Sequence, residues 1–129
     1  MVLIVDDDED DRMLIRLGFH ENDFLSLAEF ADVNSLVNYL QALPGTLPKL
    51  IVSDYNMPLL SGIELLKKLK SDDRLRKIHV VMLSTSNSQH HIDASFRTGA
   101  IGYYVKPSTV EDYKAIAHEI INKLNRLSN

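Results

Sequence analysis

Asp6-Asp7-Asp8 close the first apolar run of the chain, and a further acid, Asp54, closes the third. Ser84 ends the fourth such run and Lys106-Pro107 follows the fifth. Each group alone has an ordinary structural use: acids cap helices, a serine after a strand makes a turn, and a lysine before proline is solvated. Together they would do chemistry. Two carboxylates about 4 Å apart repel by roughly 4 kcal/mol at an effective dielectric of about 20. Three converging at one mouth therefore call for a cation. A hard divalent ion with oxygen ligands answers this, and magnesium suits a site with few protein ligands and several waters. Lys106 would neutralise more of the charge. There is no cysteine, and no histidine cluster that points to zinc.

The elements that must position these groups alternate along the chain. Val2 to Val5 is continuously apolar, as in a strand covered on both faces. A helical segment from Glu9 to Glu21 follows, with Asp8 as its N-cap and Met13, Leu14, Leu17 and Gly18 as its inner face. Ser26 to Ala31 reads as a weaker strand, because Glu29 interrupts it. Val33 to Ala42 places Leu36, Val37 and Leu40 on one helical stripe, ended by Pro44-Gly45. Leu50 to Ser53 is the third strand, and Ser61-Gly62-Ile63-Glu64 opens the next helix with capping-box spacing. Val80 to Leu83 is the fourth strand, followed by a helix from Gln89 to Arg97 with Gly99 just past its end. Ile101 to Val105 is the fifth strand. The last helix has a second capping-box pattern at Ser108 to Glu111 and a stripe of Val110, Tyr113, Ala117, Ile120, Leu124 and Leu127.

Strict alternation of strands and helices implies a parallel sheet with helices on both faces. In such a doubly wound sheet the ligand site lies beyond the carboxyl ends of the strands, where the strand order reverses. The chemically capable residues all fall at those ends. The 129 residues suit one core. With 45 % apolar and 25 % charged residues the composition is that of an ordinary globular protein. No apolar run approaches membrane-spanning length, so a cytoplasmic location is expected. A net charge of −4 gives no encouragement to non-specific nucleic-acid binding. The basic residues between Lys67 and Lys77 read as a solvated helix face and loop.

The sequence resembles the receiver domain of two-component response regulators, the group that includes the chemotaxis regulator. The resemblance covers essentially the whole chain, 1–129, with no effector domain following. It is carried by Val5-Asp6-Asp7, by Ser53-Asp54-Tyr55-Asn56-Met57-Pro58 with Ser61-Gly62, by Met82-Leu83-Ser84, and by Gly102-Tyr103-Tyr104-Val105-Lys106-Pro107. It implies a flavodoxin-like, five-stranded parallel sheet of order 2-1-3-4-5. It implies that Asp54 is a phosphoacceptor and that Asp7, Asp54 and the backbone carbonyl of Asn56 bind Mg²⁺, with Asp6 acting through water. Ser84 would be the switch hydroxyl, Lys106 the partner of the phosphoryl group, and Tyr103 an aromatic rotamer switch; the peptide before Pro107 would be cis. The implied partners are a sensor histidine kinase or a histidine-phosphotransfer protein, and a second copy through helix 4, strand 5 and helix 5; no nucleic acid or membrane is implied.

Two positions depart from the commoner pattern. Ser84 keeps the switch hydroxyl and lacks a threonine's methyl. Thr85 is bulkier than the small residue usual there and would narrow access to the phosphoryl group. Asp8, Asp10 and Asp11 read as acids that complement the first helix dipole. His90 and His91 read as a solvated helix start, and Tyr104, Tyr113 and Phe96 as core or partner-facing surface. The rival reading is a magnesium-dependent aspartyl-nucleophile phosphatase, which usually carries a second acid two residues after the nucleophile, where this chain has Asn56. A non-phosphorylated interaction module on the same fold is a third, opposed by the intact Asp6, Asp7, Asp54 and Lys106.

Overall fold

The computed structural model describes residues 1–20 and 26–127. Five strands and five helices alternate: β1 Val2–Val5, α1 Glu9–Phe19, β2 Leu27–Phe30, α2 Val33–Ala42, β3 Leu50–Asp54, α3 Gly62–Lys70, β4 His79–Ser84, α4 Gln89–Thr98, β5 Gly102–Val105 and α5 Val110–Leu127. All strand pairs are parallel and their order is β2-β1-β3-β4-β5. The doubly wound sheet expected from the alternation is what forms. The expected end of the first helix, Glu21, lies outside the described residues.

The three central strands explain the continuous apolar runs. Val2–Val5, Leu50–Val52 and Val80–Leu83 are buried along their whole length, because helices cover both faces of the sheet. One core packs α2 and α3 against Leu3, Val5, Ile51, Val80 and Met82; the other packs α1 and α5 against Val2, Ile4, Leu50, Val52, Val81 and Leu83. β2 is an edge strand, and its interrupting Glu29 faces the arginines of α1, pairing with Arg12 and Arg16. The charge that weakened the strand signal is thus a cross-link between two neighbouring elements.

The helix ends follow local chemistry. Asp8 caps α1, accepting from the N–H groups of Asp10 and Asp11. Ser61 and Glu64 form the expected reciprocal box at α3. Gly99 ends α4 in the left-handed conformation. At α5 the cap is Thr109, whose hydroxyl accepts from Asp112 N–H. The side-chain cap therefore falls one residue later than expected, because Ser108 stands outside the helix, and it is a single bond in place of the expected reciprocal box. The inner face of α1 also differs. Ile15, Gly18 and Phe19 are buried, whereas Met13 and Leu17 are exposed. Both sets have helical spacing, and the packing of α1 on α5 selects the first.

Candidate functional site at the carboxyl edge of the sheet

Register places the chemistry. Val5 stands opposite Ser53, so the next residues, Asp6 and Asp54, leave adjacent strands side by side. Asp54 pairs with Leu83, one position before Ser84, and Ser84 pairs with Val105, one before Lys106. The strand order reverses between β1 and β3, which is where a doubly wound sheet opens its crevice.

Lys106 Nζ lies 2.8 Å from Asp6 Oδ2, 2.8 Å from Asp11 Oδ2 and 3.2 Å from Asp54 Oδ1. The ammonium is largely buried, with 8 % of the Lys106 side chain exposed. Asp6 is fully buried; its second oxygen accepts from Asp8 N–H, and its carbonyl accepts from the Arg12 guanidinium. Oxygens of Asp6, Asp7 and Asp54 lie within 4.8 Å of one another, with Asp7 facing solvent. Burial, and then the neighbouring Asp6 carboxylate, push the Asp54 carboxyl from 3.8 up to about 6. Burial likewise raises Asp6. For Lys106, burial favours the neutral amine, but hydrogen bonds to Asp11 and Asp6 outweigh it and hold the ammonium charged well above the ordinary lysine range. Among the described residues, Lys106 is thus the ammonium set among four carboxylates, Asp6, Asp7, Asp11 and Asp54. The residual negative charge, the grouped oxygens and the open Asp7 side fit a divalent ion with oxygen ligands.

The backbone around Asp54 is tightly set. Tyr55 N–H donates to Leu83 carbonyl, and Gly62 N–H donates to Tyr55 carbonyl, folding the β3–α3 loop back over the strand end. Within that loop Leu59 has φ 70°, the left-handed region, and is 90 % exposed. Ser84, Ser86 and Tyr103 form a second chain of contacts. Ser84 Oγ accepts from Ser86 N–H at 3.1 Å, and the Tyr103 hydroxyl donates to Ser86 carbonyl at 2.6 Å. The Tyr103 ring packs inward against the core and stands edge-on to Tyr55. Ser86 is the residue that sequence reasoning missed here, since a serine in a polar run gives no signal of its own.

The chain matches the sequence model of the response regulator receiver domain over residues 2–118. It belongs to that family. The receiver is 31 % identical to the chemotaxis protein CheY of Pseudomonas aeruginosa, covering 96 % of this chain and 98 % of that one. The phosphorylated cyanobacterial phytochrome response regulator RcpA is similar in structure, with a TM-score of 0.79 at 27 % identity over 92 % of this chain and 89 % of that chain. The Mn²⁺-bound response regulator Rcp1 has a TM-score of 0.77 at 26 % identity with the same coverage.

The receiver brings Asp6, Asp54 and Lys106 into contact, with Asp7 beside them. Asn56 and Thr85 are exposed at the same edge. Four expectations require correction. The Lys106–Pro107 peptide is trans, since there are no cis bonds among the described residues; trans is the lower-energy form of X–Pro, and Lys106 reaches Asp54 from it. Asp11 is more than a dipole-complementing acid, because it binds Lys106. His91 is not a solvated helix start: its ring stacks on Tyr55 with centroids 4.5 Å apart, while His90 is exposed. Arg74 also departs from a solvated role, as its guanidinium donates to the Leu40 and Leu43 carbonyls at the end of α2. Tyr113 belongs to the core, Tyr104 packs half-buried against that core, and Phe96 is exposed.

Proposed function

We propose that this receiver is a phosphoacceptor switch of a two-component phosphorelay, in which Asp54 takes a phosphoryl group from a phosphohistidine on a sensor kinase or histidine-phosphotransfer protein. The observation that carries the reading is the Lys106 ammonium set against both Asp6 and Asp54 at the strand-order reversal. Asp7 and Asp54 would hold Mg²⁺, with the backbone carbonyl of Asn56 and with Asp6 through water. The Mn²⁺-bound relative supports a divalent site, and the phosphorylated relative supports the acceptor chemistry. When bound, the ion neutralises charge on the carboxylates and on the oxygens of the group in transfer.

This chain's residues do the rest by position. An Asp54 carboxylate oxygen attacks phosphorus; the P–O bond forms as the P–N bond to the donor imidazole breaks, and the electron pair leaves with that nitrogen. Phosphoryl transfer asks mainly for alignment and for compensation of charge on the equatorial oxygens. Lys106 supplies a fixed donor to one of those oxygens. The Ser84 hydroxyl, whose oxygen already accepts from Ser86, has its own proton free for another. Drawing Ser84 toward the phosphoryl group pulls on Ser86 N–H, and the Ser86 carbonyl passes that displacement to Tyr103. The face of α4, β5 and α5, where Phe96 and Val105 are exposed, then changes its preferred arrangement. About 1.5–3 kcal/mol for each new charge-assisted hydrogen bond is of the order needed to shift such a population.

On this reading the receiver acts in the cytoplasm, it loses its phosphoryl group only slowly, and it is not a turnover enzyme. Its output is protein binding, pairing of two copies through α4, β5 and α5, or onward relay. Among the described residues no helix is long and apolar enough to cross a membrane. Incubation with a small phosphodonor and Mg²⁺ should add one phosphoryl group to the wild type and none to Asp54→Asn, read by intact mass. Equal gain in both proteins, or gain in neither, overturns the assignment.

A further inference from the structure

An ammonium has three N–H donors and no acceptor. In this structure two of the three are hydrogen-bonded to carboxylates, Asp6 and Asp11 at 2.8 Å each, and the Asp54 carboxylate lies 3.2 Å from the same nitrogen as an ion pair. Asp6 belongs to the end of β1 and is locked by Asp8 N–H. Asp11 comes from the first turn of α1, and its own N–H is tied to the capping carboxylate of Asp8. The Asp6 carboxylate and the backbone of Asp11 are thus held in place independently of the lysine. Asp11 is not among the three acids whose oxygens converge on the divalent site; its carboxylate is directed at Lys106.

We propose that Asp11 is a positioning residue for the phosphoryl transfer, the second of two anchors that aim the remaining N–H of Lys106 at Asp54. The proposal rests on the phosphoacceptor reading. Lysine is a flexible four-carbon stem carrying a compact charge, so a single anchor leaves the ammonium free to rotate and swing. Two short contacts to rigid elements define its place, and the longest contact, to Asp54, is the one to be exchanged. When the P–O bond forms on Asp54 and the P–N bond of the donor breaks, the third N–H passes to a phosphoryl oxygen while Asp6 and Asp11 stay in contact. Without Asp11 one N–H turns to water and the aim is lost.

Asp11 also adds negative charge to the mouth, and a purely electrostatic role would act in the opposite direction. An extra carboxylate repels an anionic donor, so deleting it should speed phosphorylation. Positioning predicts that deletion slows it. The two accounts therefore differ in sign, which makes the position decidable.

The test uses the whole chain with Mg²⁺ and acetyl phosphate as the probe. Asp11→Ala should lower the phosphorylation rate constant by about 5–10-fold, in line with the steep dependence of transfer on alignment. Asp11→Asn, which keeps an acceptor oxygen without the charge, should return to within about twofold of wild type. In ¹⁵N-labelled protein without metal, the Lys106 ammonium signal should be sharp and slowly exchanging in wild type and in Asp11→Asn, and broadened in Asp11→Ala. A rate for Asp11→Ala equal to or above wild type overturns the proposal. So does a slowed variant whose ammonium signal is unchanged, or one that Asn does not rescue. If the wild type itself gains no phosphoryl group, the phosphoacceptor reading fails, and the metal-free ammonium signal still decides whether Asp11 holds Lys106.

Discussion

Gly62 approaches the backbone of Asp54 so closely that a β-carbon at position 62 would stand 2.6 Å from the Asp54 carbonyl oxygen and 2.7 Å from Met82 Sδ. The sulfur could yield, but the strand carbonyl cannot without moving the carboxylate that follows from the same residue. Gly62→Ala should cost about 1–3 kcal/mol in stability, and should slow phosphorylation of Asp54 more than the stability loss alone explains. Denaturant melts and acetyl phosphate kinetics on one preparation check both. An Ala variant with wild-type kinetics would show that the α3 start does not set Asp54.

Metal dependence should follow Asp7. Its side chain is exposed and does not contact Lys106, so its removal costs the fold little. Ligand binding to the native state adds about 2.7 kcal/mol at a hundredfold excess over Kd. The wild type should therefore melt later as Mg²⁺ is added, and Asp7→Asn should lose most of that gain. An equal Mg²⁺ response in Asp7→Asn would remove Asp7 from the metal site.

The Asp54 carboxyl, raised from 3.8 to about 6 by burial and by Asp6, makes a signed prediction for metal-free protein. Between those two values the native state binds more protons than the unfolded chain, so stability falls as pH rises through about 6. The ionised form carries the penalty at neutral pH. Acidifying from about pH 8 to about pH 5 should stabilise the wild type, and Asp6 contributes in the same direction. Asp54→Asn should be the more stable protein at neutral pH and show a smaller gain on acidification. Chemical melts across this range check it, and parallel curves for the two proteins would contradict the assigned shift.

Leu59 holds a left-handed backbone conformation with almost no contact to compensate it, since 90 % of the residue is exposed. For a residue with a β-carbon this conformation costs about 1–2 kcal/mol. Leu59→Gly should stabilise the protein by about 0.5–1 kcal/mol, the gain being reduced by the greater chain entropy of glycine when unfolded. Thermal melts read this directly, and a loss of stability would mean that the leucine makes a contact worth more than its strain.

Much of the site was legible because the strands are sharp. Val5-Asp6, Leu83-Ser84 and Val105-Lys106 each mark the step from an apolar run to a polar group, Val52-Ser53-Asp54 makes it one residue before the acid, and parallel register carries all four strand ends to one edge. Asp11 was not legible, because an acid in a first helical turn looks the same whether it faces solvent or a lysine 95 positions later. The inner face of α1 was ambiguous for a related reason. The expected face was Met13, Leu14, Leu17 and Gly18; Leu14 and Gly18 do pack inward, but Ile15 and Phe19 take the places of Met13 and Leu17, and only the partner helix chooses between such neighbouring stripes. His91 gave no hint of its stacking, because its partner Tyr55 lies on another element.

Asp6 and Lys106 stand 100 positions apart in the chain, and their contact is made across a sheet whose central strands must first be in place. Local folding of the first half therefore yields the acids without the amine. A nascent or truncated chain that lacks β5 would carry a cluster of unopposed carboxylates, and it would be both less stable and unable to signal. On the phosphoacceptor reading, competence therefore requires β5 and the Lys106 that follows it.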